Sequence, residues 1–318
     1  MGSDCVSGEC LADGRCAPTD GGSGGSTSGS STSGGGGSTG GSGGSSSGGS
    51  SGGLPTDGGA GGSDGGLAGD GGAGGFDAGG GPACDFTFDG TISRAQVPVG
   101  PGLQATFEVA EDAGFDTTGQ PLGDGGFLWS LAGPFPSDHA VPVQTLPLAG
   151  EWFSAQYPSA SYAVTLSDLS PDLGVFAANA SAIELVGLAS PSQGSGETEV
   201  GYSPAVPVLS FPLALGGAWQ TNSTVSGTFE GFPNTTYLES YSSTVDKIGS
   251  LIIPSGTSFP VLRVRTDLVR TFGALVTTQR SYAFVTPCFG TVATVVSQLD
   301  EPAVEFQNAA ELRRLAEP

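Results

Sequence analysis

Basic residues are scarce in this sequence. Nine lysines and arginines face 31 aspartates and glutamates, a net charge of −22, and no base occurs between Arg94 and Lys247. A nucleic-acid binder needs cations to displace counterions from phosphate, so nucleic acid is excluded as a partner. Anionic membrane surfaces are disfavoured on the same ground. Cations, sugars and proteins remain, and the simplest reading of the acidity is a solvated surface. Histidine is scarcer still. His139 stands alone, which excludes multi-histidine metal sites and leaves one residue to serve a Ser-His-Asp triad. Its setting, Pro-Ser-Asp-His-Ala, reads as a turn that carries a surface histidine. No run of about 18 apolar residues is present, so no transmembrane helix is expected. The opening MGSDCVSGEC has neither the basic start nor the apolar stretch of a signal peptide, and Val6 stands where N-myristoylation requires Ser or Thr.

Cysteines number five. Cys5, Cys10 and Cys16 crowd the front with spacings that suit a small disulfide-held loop and do not match the CxxC pattern of zinc or redox sites. Three is odd, so a partner cysteine is expected upstream, and a signal segment with it. Cys84 and Cys288 lie in the rest of the chain. Oxidising surroundings would pair them, closing a loop whose chain-entropy stabilisation is roughly 5 kcal/mol. The alternative is two buried free thiols.

Glycine is as abundant as bases are rare, and over half of the 57 glycines precede Cys84. Residues 1–17 form a short cysteine-bearing element. Residues 18–82 read as a disordered linker, Gly/Ser first and then Gly with Asp57, Asp64, Asp70 and Asp77. A coil of that length spans roughly 45 Å end to end. The aspartate spacing evokes calcium-binding β-rolls, but the period is wrong and the apolar positions are nearly empty. Gly21-Gly22-Ser23-Gly24-Gly25 fits the GxSxG nucleophile elbow, which has meaning only on a strand-turn-helix.

From residue 83 to 318 the patterning changes. LQATFEV sets Leu103, Ala105, Phe107 and Val109 on one face. YAVTLSDL sets Tyr162, Val164 and Leu166 opposite Ala163, Thr165 and Ser167. VLRVRT turns Leu262 and Val264 inward and Arg263 and Arg265 outward. Period two of this kind predicts half-buried strands, and glycines and prolines cut the chain too often for long helices. Many short strands with turn signals predict an all-β fold, an antiparallel β-sandwich or jelly roll. A domain of this length buries roughly 70% or more of its unfolded surface and needs no metal to fold. The one helix candidate is 302–316, with acids leading and Arg313 and Arg314 closing. A final strand through Glu311–Leu315 fits nearly as well.

Two stretches carry a resemblance. Asp4-Cys5-Val6-Ser7-Gly8-Glu9-Cys10, followed by Gly14-Arg15-Cys16, resembles a short element near the N-termini of exported bacterial surface proteins and lipoproteins. Gly249, Leu251, Pro254, Gly256, Thr257 and Val261-Leu262-Arg263-Val264-Arg265 are similar to a hairpin of exported bacterial β-sandwich proteins, with 202–219 and 280–287 fitting the flanks. The resemblance implies a secreted β-domain and assigns no functional residue.

Several residues invite chemistry. Glu111, Asp112, Asp116 and Asp124 form the densest acidic stretch, and a glycine-rich acidic loop can supply oxygens to calcium. A solvated loop would read the same way. Apart from calcium, no cofactor is indicated. Trp129, Trp152 and Trp219 could stack on sugar rings or fill a core. Carboxylate pairs of the kind glycosidases use are plentiful, and no spacing singles one out. Asn179, Asn222 and Asn234 begin N-x-[ST] sequons that read as incidental in a bacterial protein. The expectation is a non-enzymatic structural or adhesion-type module, extracellular or on the outer cell surface, tethered from upstream. Its partner would be an extracellular protein or a glycan. The alternative is a carbohydrate-binding module, calcium-assisted. A hydrolase is the third reading.

Overall fold

Apolar side chains alternate with threonine, serine and other polar residues along many segments after Cys84, and the backbone follows that alternation. The computed structural model describes residue 84 and residues 86–123 and 125–318, all within the unit Phe76–Pro318. The cysteine element, the linker and Asp124 lie outside the described residues. The strands are β1 (Thr91–Ile92), β2 (Gln104–Gly114), β3 (Gln120–Pro121), β4 (Phe127–Ser130), β5 (His139–Gln144), β6 (Tyr162–Ser167), β7 (Ser170–Ala178) and β8 (Ala182–Ala189). They continue as β9 (Glu199–Ser210), β10 (Leu213–Ala214), β11 (Ala218–Phe229), β12 (Phe232–Ile252), β13 (Ser258–Phe272), β14 (Leu275–Thr286), β15 (Gly290–Ser297) and β16 (Asn308–Leu315). Helical structure among the described residues is confined to two three-residue 3-10 turns, Arg94–Gln96 and Ser154–Gln156.

The fold is all-β. One sheet runs β5-β2-β16-β15-β14-β13-β12-β11-β9-β8-β7-β6, with β4 added along β12 and β3 along β4; β1 and β10 pair separately. Every pairing is antiparallel except β4 with β12. The sheet curls back on itself until its two ends meet, so the architecture is nearly barrel-like. Leu146 and Ala163, beside β5 and in β6, exchange backbone hydrogen bonds of 2.7 and 3.0 Å. Closing a sheet this way leaves less free edge for unwanted pairing. The tip of the β6–β7 hairpin is also pinned to β16. Ser167 Oγ and the Asp168 amide donate to Glu311 at 2.6 and 2.9 Å, and Arg313 donates to the Leu166 carbonyl at 2.9 Å.

Three apolar cores result. The first gathers Tyr162, Phe176, Val206, Val225, Tyr237, Leu262 and Val264. The second gathers Trp129, Leu131, Leu251, Val261, Tyr282, Phe284 and Leu312. A third, smaller one holds Phe153, Tyr157, Ala163 and Val175. The central strands are therefore buried on both faces. This corrects the expectation for VLRVRT: Leu262 and Val264 do enter the first core, but Arg263 on the other face has no exposure at all. The helix candidate at 302–316 is also corrected. Residues 308–315 form β16, paired to β15 on one side and to β2 on the other. Two ladders of backbone hydrogen bonds outweigh a weak local helix preference.

The hairpin read in the sequence at 249–265 is present, with β12 ending at Ile252 and β13 beginning at Ser258. Gly256 takes φ +83° in its turn, which a side chain would resist. Gly249 is needed for a different reason. A Cβ there would lie 1.9 Å from the Phe127 carbonyl oxygen of β4, so only glycine admits the parallel strand.

Candidate functional site

Three polar constructions stand out, and each is built by a specific piece of the sheet. The first is the anchor at the domain's entry. Cys84 is bonded to Cys288, 204 positions away, with Cα atoms 5.6 Å apart. Cys288 occupies the turn between β14 and β15, where its amide donates to the Gln96 carbonyl at 2.7 Å. Phe86 and Phe259 both pack on Phe289, at ring separations of 5.9 and 5.0 Å. The chain thus enters the domain at the β14–β15 turn.

The second surrounds Arg263. The β12–β13 register slips between Val245 and Lys247, and the irregularity leaves Asp246 without a partner, re-aiming its side chain as bulges do. Arg263 Nε and Nη2 donate to the two Asp246 oxygens at 2.9 and 2.7 Å. Its Nη1 and Nη2 donate to Glu305 at 3.1 and 2.7 Å, and Nη1 also reaches the Thr117 carbonyl at 2.5 Å. The guanidinium lies 4.1 Å from the Tyr282 ring centroid and 5.6 Å from that of Trp129. Lys247 closes the group, 2.8 Å from Glu305 and 4.4 Å above Phe127. Burial works to raise the Glu305 pKa, but the hydrogen bonds from Arg263 and Lys247 prevail and bring it to about 2. Burial likewise pushes the Tyr282 hydroxyl well above the ordinary tyrosine range. The sequence offered no warning of this cluster, because its members come from six separate segments.

The third lies at the seam where the sheet closes. His139 on β5 faces Asp168 at 2.7 Å through Nε2 and the Ser137 carbonyl at 3.0 Å through Nδ1. Both partners are acceptors, so both bonds form only when the ring carries two protons. The Ser137 carbonyl, then Asp168, raise its pKa above the ordinary 6.5. Among the described residues, neither ring nitrogen bonds a serine hydroxyl.

The remaining sequence candidates are dispersed. Glu111 is held by its backbone, whose amide and carbonyl bond Ser137 Oγ at 2.8 and 2.7 Å. Asp112 accepts from Gln298 at 2.9 Å, and Asp116 caps the Thr118 amide at 2.9 Å. Among the described residues no three of His, Cys, Asp and Glu come together as metal ligands. The tryptophans belong to three different cores. Trp129 is enclosed in the second and donates to the Thr117 carbonyl at 3.1 Å. Trp152 packs on the third and donates to Ser190, and Trp219 packs on the first and donates to Pro207. They form no common platform.

No protein-family model matches the chain. No curated protein matches it either. A solved structure described as a "putative lipoprotein" from Parabacteroides distasonis is similar over 69% of this chain and 96% of its own, at 11% identity and a TM-score of 0.30. A likeness that slight does not bear on what this chain does.

Chemically, then, the anchor resists unfolding from the entry point, the Arg263 group neutralises charge inside a core, and the His139 seam responds to protons. Among the described residues no helix is long and apolar enough to cross a membrane.

Proposed function

We propose that this chain is an exported, non-catalytic module of structural or adhesive type, presented at the cell surface on its glycine-serine segment. The Cys84–Cys288 bond carries the reading. Disulfides persist in oxidising compartments and are rare in reducing ones. This one also ties the segment's end to the β14–β15 turn, so a pull arriving through the spacer cannot strip the intervening strands one by one. Gly/Ser composition suits a spacer, and the net charge of −22 suits solubility outside the cell.

The test is retention and turnover measured on the purified full chain. The expected outcome is labelling of intact cells or extracellular material with no chemical change to glycan, ester or peptide substrates. Turnover abolished by a substitution in the domain would overturn the reading.

A further inference from the structure

The outer face of strands β9, β11, β12, β13 and β14 is bare across its distal half. Register places Ser203, Thr224, Leu238, Thr271 and Val276 in one transverse row. Directly opposed residues share a face, and the row behind this one, Tyr202, Val225 and Tyr237, fills the first core. The next outward row is Asn222, Ser240, Val269 and Thr278. Leu238 and Val276 are each 54% exposed and Val269 38%. Neither row contains a charged residue, on a protein whose net charge is −22. The face ends at Asp267, which pairs with Arg280 at 2.5 Å and with Arg265 at 3.2 Å.

From this face we infer a binding site for a neutral polysaccharide chain. Three aliphatic side chains offer contact to the C–H faces of sugar rings, and short hydroxyls and amides beside them offer hydrogen bonds to ring hydroxyls. A charged ligand gains nothing from an uncharged surface, and an anionic one is repelled by the rest of the molecule. Size argues against a protein occupant. Strands about 4.8 Å apart and same-face residues about 6.8 Å apart give the five strands and two rows an area of roughly 330 Å². A stable protein interface needs about 800 Å² from each partner, and a second copy would bring its own negative charge. An extended glycan is narrow enough to lie within the face. The inference rests on the adhesive reading and names its partner class.

The experiment is affinity electrophoresis of the full chain through gels containing dextran, mannan, galactomannan or a mixed-linkage β-glucan, with alginate as an anionic control. The expected result is retardation by at least one neutral polymer and none by alginate. Leu238→Ser with Val269→Ser, which add no charge, and Val269→Asp are expected to weaken retardation at least tenfold. Leu215→Asp, at a remote exposed position, is expected to leave it unchanged. Circular dichroism confirms that each variant is folded. Failure of every neutral polymer to retard the chain, or equal retardation of the Leu238/Val269 double variant, overturns the inference. So does concentration-dependent dimerisation abolished by these substitutions, which would make the occupant a second copy. Cell labelling that survives all the face variants would overturn the site while leaving the adhesive reading intact.

Discussion

Arg263 and Asp246 lie 17 positions apart and meet edge to edge, two nitrogens of one donating to both oxygens of the other at 2.9 and 2.7 Å. The arginine has no exposure, and its carboxylate partners Asp246 and Glu305 are only 15% and 25% exposed. Removing one partner of such a group strands the others. Arg263→Met is expected to destabilise the domain by about 3–5 kcal/mol, read by urea unfolding. A loss below about 1 kcal/mol, the range of surface pairs, would mean that the cluster is not enclosed as described.

Glu305 belongs to the same group and links it to pH. Its folded pKa is depressed from 4.5 to about 2 by Arg263 and Lys247 against the opposing effect of burial. A depressed carboxylate adds stability above its unfolded pKa and loses it as pH falls through the folded one, an effect of about 3 kcal/mol. Stability should therefore fall between about pH 4.5 and 2, and Glu305→Gln should flatten that part of the curve. A variant with the same acid profile as the parent would contradict the assignment.

At the seam the sign is opposite. His139 has its pKa raised by the Ser137 carbonyl and Asp168, so its contribution is complete below 6.5 and fades as pH climbs through the folded value. An NMR titration of the lone histidine should give a midpoint above 6.5, lowered by Asp168→Asn. A midpoint at or below 6.5 in the parent would show that the 2.7 Å contact does not persist in solution.

Gly249 connects sequence pattern to packing. The carbonyl of Phe127 occupies the place its side chain would take. Gly249→Ala is expected to cost about 2–4 kcal/mol by overpacking and to loosen β4. Because Trp129 lies on β4, its fluorescence should shift toward that of a wetter indole. Unchanged stability and emission would place β4 elsewhere.

The strands were legible because alternation is local: Leu262 and Val264 were correctly turned inward, and Gly256 marked its turn. Arg263 was not legible. A second core lies over its face, and that core is assembled from Trp129, Leu251 and Tyr282, which no local pattern joins. Residues 302–316 were read as a helix candidate because their acids and arginines fit a helix dipole, with a strand through Glu311–Leu315 fitting nearly as well, and it is the strand that forms. In the fold Glu311 caps the β6–β7 tip and Arg314 pairs with Asp138. The closure through Leu146 and Ala163 likewise depends on contacts between distant strands. The exposed face of β11–β14 was hidden for the same reason, since its rows exist only once the register is known.

The cysteine anchor is tested by what it adds to stability. Cys84→Ser with Cys288→Ser should lower stability by about 2–5 kcal/mol, as for other native disulfides, and the reductant-treated parent should match the double variant. Equal unfolding midpoints with and without reductant would show that the bond adds nothing to the domain.

Most direct for the account as a whole is to add proteinase K to intact cells that make the protein and to map the shed peptides without reduction. The domain is expected to be released from the outside with Cys84 and Cys288 recovered as one cross-linked pair. A protein untouched until the cells are lysed, or two cysteines recovered as free thiols, would contradict it.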